Sequence, residues 1–198
     1  MNLSKFSSAV FKYRSYIPIP FLLVMLFYNN PNIWSLIIGT VIMLAGESMR
    51  LWGVSWAGSE TRTTGTVGGT FLVISGPFAY VRNPLYVGNI LIYTGLGIMS
   101  FAAFPYLQII ALAAFIVEYY LIVIEEEKYL AKTFGAAYEE YLQNVNRFFP
   151  KFKKFVKKDV QQPPFNLEAG KRSERRTFQA IFFVWLTIIL LYVFRIMS

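Results

Sequence analysis

The sequence predicts an all-α fold, an integral membrane helical bundle with about five transmembrane helices. Three observations carry that expectation. The 198 residues are 56% hydrophobic and 18% aromatic but only 15% charged, and the mean hydropathy of +0.46 lies far above that of an ordinary water-soluble domain. Five apolar windows, at 16–28, 33–52, 85–99, 106–124 and 178–194, match or approach the roughly 20 residues needed to cross a hydrocarbon core about 30 Å thick. The basic residues then fall almost entirely on one side of these windows.

The elements follow in order. Lys5, Lys12 and Arg14 precede the first window, and nothing after Tyr28 resembles a small-residue cleavage site, so it reads as a retained signal anchor. The second window carries Glu47 and Arg50 three residues apart, which either pair with one another or mark a functional site within the membrane. The third begins at Pro84. Proline pushes Asn83 out of the helical region and suits the first turn of a helix, so Asn83 is predicted to cap this span. The fourth runs without a break from about Pro105 through Glu125-Glu126-Glu127 to Thr133, where Phe134-Gly135 ends it. The first and third windows are short, which tilting or local thinning of the bilayer would accommodate.

Charge sets the expected orientation. With a cytoplasmic N-terminus, every basic residue except Arg195 lies on the cytoplasmic side, while Asn29-Asn30-Pro31-Asn32 and 100–105 carry no charge. The net charge of +8 points to the anionic cytoplasmic leaflet and not to nucleic acid, because Lys151, Lys153, Lys154, Lys157 and Lys158 interleave with Phe148, Phe149, Phe152, Phe155 and Val156 beside a span. A solvated tether is the alternative for that run. The whole chain, 1–198, reads as a single membrane domain. It comprises N-terminal spans at 1–57, a central core at 58–150, a basic linker at 151–176 interrupted by Gln161-Gln162-Pro163-Pro164, and a last span at 177–198.

Neither cysteine nor histidine occurs. Disulfides, a thiolate nucleophile, an imidazole base and His/Cys metal clusters are therefore excluded, and no metal site is expected. Two segments carry the remaining chemistry. In the first, Gly65-Thr66-Val67-Gly68-Gly69-Thr70 is a flexible turn, 71–74 a short apolar run, and Ser75-Gly76-Pro77 a second turn leading to Tyr80-Val81-Arg82-Asn83-Pro84. A helix N-terminus at the membrane surface, with Arg82 beside it, suits a carboxylate or phosphate. Gly88 and Gly95 would let a helix or ligand approach the third span. An interfacial anchor, with Arg82 snorkelling and Tyr80 and Tyr86 in the aromatic belt, fits the same residues.

The second segment is acidic. Glu125, Glu126 and Glu127 repel one another at the unfavourable pole of a helix dipole, so a positive partner is expected: Arg82, Lys128, Lys132 or a cationic ligand. Glu118, seven residues before Glu125 on the same helical face and about 10 Å deeper, is a further functional candidate by its depth.

Together these segments resemble the isoprenylcysteine carboxyl methyltransferase and phospholipid methyltransferase superfamily. That family's pattern, L-V-x-S-G-x-Y-x-x-x-R-H-P-x-Y-x-G followed by E-E-x-x-L-x-x-x-F-G-x-x-Y-x-x-Y and a closing proline, is met here over about residues 46–150. The matching residues are Leu72-Val73, Ser75-Gly76, Arg82, Pro84, Tyr86, Gly88, Glu126-Glu127, Leu130, Phe134-Gly135, Tyr138, Tyr141 and Pro150. Asn83 stands where the family has histidine and Phe78 where it has tyrosine. The turn Leu121-Ile122-Val123-Ile124 lacks the arginine that isoprenylcysteine enzymes place before their acidic pair, which weakens that assignment in particular.

The resemblance implies a cytoplasm-facing pocket for S-adenosylmethionine, held by Leu72, Val73, Phe78, Arg82, Asn83, Pro84, Leu85, Tyr86, Gly88, Glu126 and Glu127. It also implies direct methyl transfer to a lipophilic or lipidated acceptor, either a prenylcysteine-type carboxylate or a phospholipid-type amine. The expected catalytic residues are Arg82, facing the cofactor carboxylate, and Glu118, the candidate base where an amine must first lose a proton. The expected location is a bacterial inner membrane or the endoplasmic reticulum. Two other functions fit parts of the pattern: an NADPH-dependent sterol or isoprenoid reductase, and a non-catalytic membrane scaffold or transport protein.

Overall fold

The structure is a computed structural model that describes residues 13–14, 16–58 and 71–197. Lys5, Lys12, Arg62 and the turn at Gly65 to Thr70 lie outside the described residues. Among the described residues there are six α-helices: α1 (Pro18–Phe27), α2 (Ile33–Ala57), α3 (Pro84–Ser100), α4 (Tyr106–Phe134), α5 (Ala136–Asn144) and α6 (Leu167–Met197), with a 3₁₀ turn at Gly76–Ala79. No β-strand occurs among the described residues, and Val81 and Asn146 form an isolated parallel bridge. The chain is thus an all-helical integral membrane protein. By length and apolarity α2, α4 and α6 are able to cross a bilayer, whereas α1 and α3 are shorter apolar helices, as their windows predict.

Helix boundaries follow local chemistry. Asn32 and Ser35 cap α2 reciprocally: the Ser35 N–H donates to Asn32 Oδ1 and the Asn32 N–H to Ser35 Oγ, both at 3.0 Å. Helix α3 starts at Pro84, with the Val87 N–H bonded to the Asn83 carbonyl at 3.1 Å. Gly135, at φ +50°, separates α4 from α5 in the left-handed region that glycine enters at little cost. Helix α6 begins at Leu167, where the sequence predicts linker up to residue 176. Asn166 is the reason, because its Oδ1 accepts the Ala169 N–H at 2.9 Å and caps the first turn.

The chain forms two compact units. The first comprises Met1–Glu47, Asn89–Ile122 and Arg176–Ser198. Its core gathers Met25, Leu36, Met43, Ile92, Leu96, Met99 and Ile188, with Phe21, Trp185 and Tyr192 packed against it. The backbones of α2 and α3 touch here: a Cβ built on Gly95 would lie 2.6 Å from the Gly39 carbonyl oxygen and 2.6 Å from the Met43 nitrogen. Such small-residue approaches hold membrane helices together where lipid supplies no hydrophobic drive. The obstructing atoms are backbone, so neither helix can yield by a rotamer change. Gly95→Val is expected to cost at least about 3 kcal/mol, read as loss of monodisperse protein in detergent; wild-type thermal behaviour would contradict this packing. Outward, Ile37, Ile38, Val41 and Leu44 of α2 and Phe182, Phe183, Leu190 and Phe194 of α6 are exposed, which is the surface a lipid-facing helix presents.

The second unit comprises Ser48–Gly88 and Val123–Arg175. Its core is Leu72, Ile74, Tyr138, Tyr141 and Val145, with Leu130, Phe134, Phe155 and Val160 against it. The start of α6 docks on the end of α2. A Cβ on Gly170 would lie 3.2 Å from Ser55 Cα, the Asn166 N–H donates to the Ser55 carbonyl at 2.8 Å, and Arg50 pairs with Glu174 at 2.6 Å. Glu174 is 1% exposed. Glu174 is thus an ion-pair partner of Arg50 that the sequence did not suggest, and it lies in a stretch read as linker.

Candidate active site

The elbow between the 3₁₀ turn and α3 is built by its turn residues. Gly76 has φ +61° and faces the Trp56 indole so closely that any side chain there would strike it. Beyond it the backbone of 79–83 is held by the segment that follows α5. The Arg82 N–H donates to the Asn146 carbonyl, the Lys151 N–H to Tyr80 and the Phe155 N–H to Ala79, each at 2.9 Å. Asn83 Nδ2 donates to the Arg147 carbonyl at 3.0 Å. Tyr141 reaches the same turn, its hydroxyl donating to the Phe78 carbonyl at 2.7 Å. Burial, and next the neighbouring Tyr138 phenol, raise the Tyr141 pKa above the usual phenol value. Burial, then the charge of Glu127, does the same to Tyr138.

Arg82 is occupied within this framework. Nε and Nη2 bond Glu127 Oε1 at 3.2 and 2.9 Å, and Nη1 bonds the Leu142 and Val145 carbonyls at 2.9 and 2.6 Å. Those carbonyls lie at the C-terminal end of α5, the negative pole of its dipole, where a guanidinium is favoured. Four of the five N–H donors of an arginine are thereby used. Glu127 takes a second arginine as well: Arg147 binds it in fork geometry, Nε to Oε1 at 3.0 Å and Nη2 to Oε2 at 2.6 Å. Arg147 is therefore a compensating charge that the sequence reading did not include. It lies 20 residues from Glu127, beyond any helical spacing that would flag the pair.

The three adjacent glutamates diverge in environment. Glu125 makes an exposed pair with Lys128 at 2.9 Å. Glu127 is the shared carboxylate of two guanidinia. Glu126 Oε1 accepts the Tyr86 hydroxyl at 2.6 Å, across 40 residues of sequence. Pro84, Leu85, Tyr86 and Gly88 form the first turns of α3. The elbow and the acidic cluster thus meet within the second unit.

The stretch at 71–74 enters differently. The side-chain amide of Gln162 donates from Nε2 to the Leu72 carbonyl at 2.9 Å and accepts the Ile74 N–H on Oε1 at 2.8 Å, pairing this segment as a strand partner would. Leu72 points into the core, while Val73 is half-buried. Gln162, read from sequence only as part of a structure-breaking run, is a clamp on the loop. Glu118 belongs to the first unit, on α4. It is 4% exposed, and its Oε2 has no hydrogen-bond partner among the described residues.

A family model described as phospholipid methyltransferase matches residues 34–137, more than half of the chain. The chain belongs to the phospholipid methyltransferase family. The matched stretch holds both the elbow and the glutamates. Two curated relatives are also similar. One is the nickel-cobalt-cadmium resistance protein NccN of Alcaligenes xylosoxydans xylosoxydans, 26% identical over 143 residues, covering 63% of this chain and 66% of that protein. The other is the cobalt-zinc-cadmium resistance protein CzcN of Cupriavidus metallidurans, 33% identical over 102 residues, covering 52% of this chain and 43% of that protein. The chain therefore spans less than two thirds of the length of either relative. No solved structure matches it.

Proposed function

We propose that this phospholipid methyltransferase family member transfers a methyl group from S-adenosylmethionine to a lipophilic acceptor in the membrane. The observation that carries the reading is the division of labour between neighbouring carboxylates: Glu127 is engaged by Arg82 and Arg147, while Glu126 is oriented by the Tyr86 hydroxyl. A carboxylate fixed by a hydroxyl suits the hydroxyl and ammonium groups of an adenosyl amino acid, so the donor set fits this cofactor. When bound, the cofactor supplies an electrophilic methyl group on a sulfonium.

The chain's own residues supply positioning, from which most of the rate in such a displacement comes. Glu126 and Tyr86 hold polar groups. Val73 and the backbone of 71–74, set by Gln162, line the adenosyl side. The first turn of α3 offers N–H groups to a carboxylate. Arg82 acts as a positioning residue, with one N–H left over for a ligand. For an amine acceptor the proposed base is Glu118, buried and with a carboxylate oxygen that has no partner among the described residues. A buried acid of this kind favours the amine over the carboxylate acceptor, as does the apolar turn at 121–124. We infer a cytoplasmic N-terminus from the charge asymmetry. The names of the two relatives concern metal resistance, and any metal role here would have to do without His or Cys ligands.

Membranes containing the protein, incubated with radiolabelled S-adenosylmethionine, are expected to carry label in the organic-extractable lipid fraction. Label confined to protein would redirect the acceptor. Absence of label, together with no calorimetric binding of S-adenosylhomocysteine, would end the methyltransferase reading, and saturable NADPH binding would replace it.

A further inference from the structure

The segment after α5 has one side built into the second unit and another left outside it. Phe155 and Val160 pack on the core. Phe149 is 80% exposed, Phe152 107% and Val156 65%. Lys153, Lys154 and Lys158 are exposed among them, whereas Lys157 is bound to Glu140. Between residues 148 and 158 there is no acidic residue. Three bare apolar side chains in water are unfavourable, and three lysines beside them repel any cationic partner. That combination matches an anionic bilayer surface, which offers acyl chains to the first set and phosphate to the second.

The segment's position makes the match geometric as well as chemical. Arg147, at its start, binds Glu127, three residues past Ile124, where the apolar run of α4 ends; at about 1.5 Å per residue that is a rise of roughly 5 Å. The Arg147 carbonyl meets Asn83, immediately before α3 begins at Pro84. The segment therefore leaves the protein at the level where one apolar helix ends and another starts. Its backbone bonds from Lys151 and Phe155 to the elbow hold the rest at that level.

We propose that residues 148–158 are an interfacial anchor seated in the anionic leaflet, with Phe149, Phe152 and Val156 inserted and Lys153, Lys154 and Lys158 at the headgroup phosphates. Because the anchor is hydrogen-bonded to Ala79 and Tyr80, it fixes the elbow relative to the surface from which a lipid acceptor arrives. This goes beyond methyl transfer and does not depend on it.

The absence of cysteine permits a direct test. Phe152→Cys in the full chain, spin-labelled and placed in nanodiscs, is read by collisional accessibility to oxygen, which partitions into lipid, and to a water-soluble nickel chelate. In discs of phosphatidylcholine with phosphatidylglycerol the label is expected to be open to oxygen and shielded from nickel. Adding Lys153→Glu, Lys154→Glu and Lys158→Glu is expected to return it to the nickel-accessible state, as is the use of phosphatidylcholine alone. A Gln143→Cys label on α5 serves as the water-exposed reference. A 152 label that stays nickel-accessible in every disc overturns the anchor. One shielded from both reagents places Phe152 against protein and overturns it equally, and one lipid-buried regardless of charge overturns the part assigned to the lysines. No outcome bears on cofactor binding, so the two proposals fail separately.

Discussion

Glu127→Ala is expected to destabilise the protein by about 3 kcal/mol, because two largely buried guanidinia lose their shared counter-charge; removing one partner of a buried pair costs roughly 3–5 kcal/mol. The side chains of Arg82, Glu127 and Arg147 are 11%, 13% and 29% exposed, which places the effect at the lower end. At about 2–4 °C per kcal/mol for a chain of this size, the apparent Tm in detergent should fall by roughly 6–12 °C. The damage should propagate. Arg82 also ties the α5 carbonyls to the elbow, so the elbow loosens with it. A drop smaller than about 2 °C would show that the clamp contributes little.

Glu126→Gln, one position away, is expected to leave the apparent Tm unchanged and to weaken S-adenosylhomocysteine binding by about 10- to 100-fold. The loss corresponds to one charge-assisted hydrogen bond of roughly 1.5–3 kcal/mol, with each 1.4 kcal/mol a factor of ten. The Tyr86 hydroxyl can still donate to the glutamine carbonyl, so the fold keeps this contact while the ligand loses the charge. Calorimetric titration reads the affinity and thermal unfolding the fold. Unchanged affinity would remove Glu126 from the site. A shared collapse of Tm and affinity would make it structural like Glu127.

That opposite outcomes are expected for adjacent, chemically identical residues shows where the sequence stopped being informative. It placed the acidic cluster at the end of α4, ended that helix at Gly135 and started α3 at Pro84, because each of those features depends on residues within a turn of it. The elbow and the cluster were also paired correctly, through the family pattern. Sequence did not divide Glu126 from Glu127, since the division is made by Tyr86, Arg82 and Arg147, which lie 40, 45 and 20 residues away along the chain.

The same holds for the stretch at 151–176. Proline, glutamine and lysine there gave only the composition of a linker. The fold turns Gln162 into the clamp on 72–74 across 90 residues, Asn166 into a cap and Glu174 into the buried partner of Arg50. By itself the sequence determined the solvent, the apolar spans and the ends set by Pro84 and Gly135, since apolarity, proline and glycine act locally; it left out α5 and the first turns of α6. Beyond Arg82 and Lys128, which the sequence offered to the glutamates, which charged and polar side chains meet was decided by tertiary structure, because desolvated charges and amides take whatever partner the packing brings within about 3 Å, however distant in the chain.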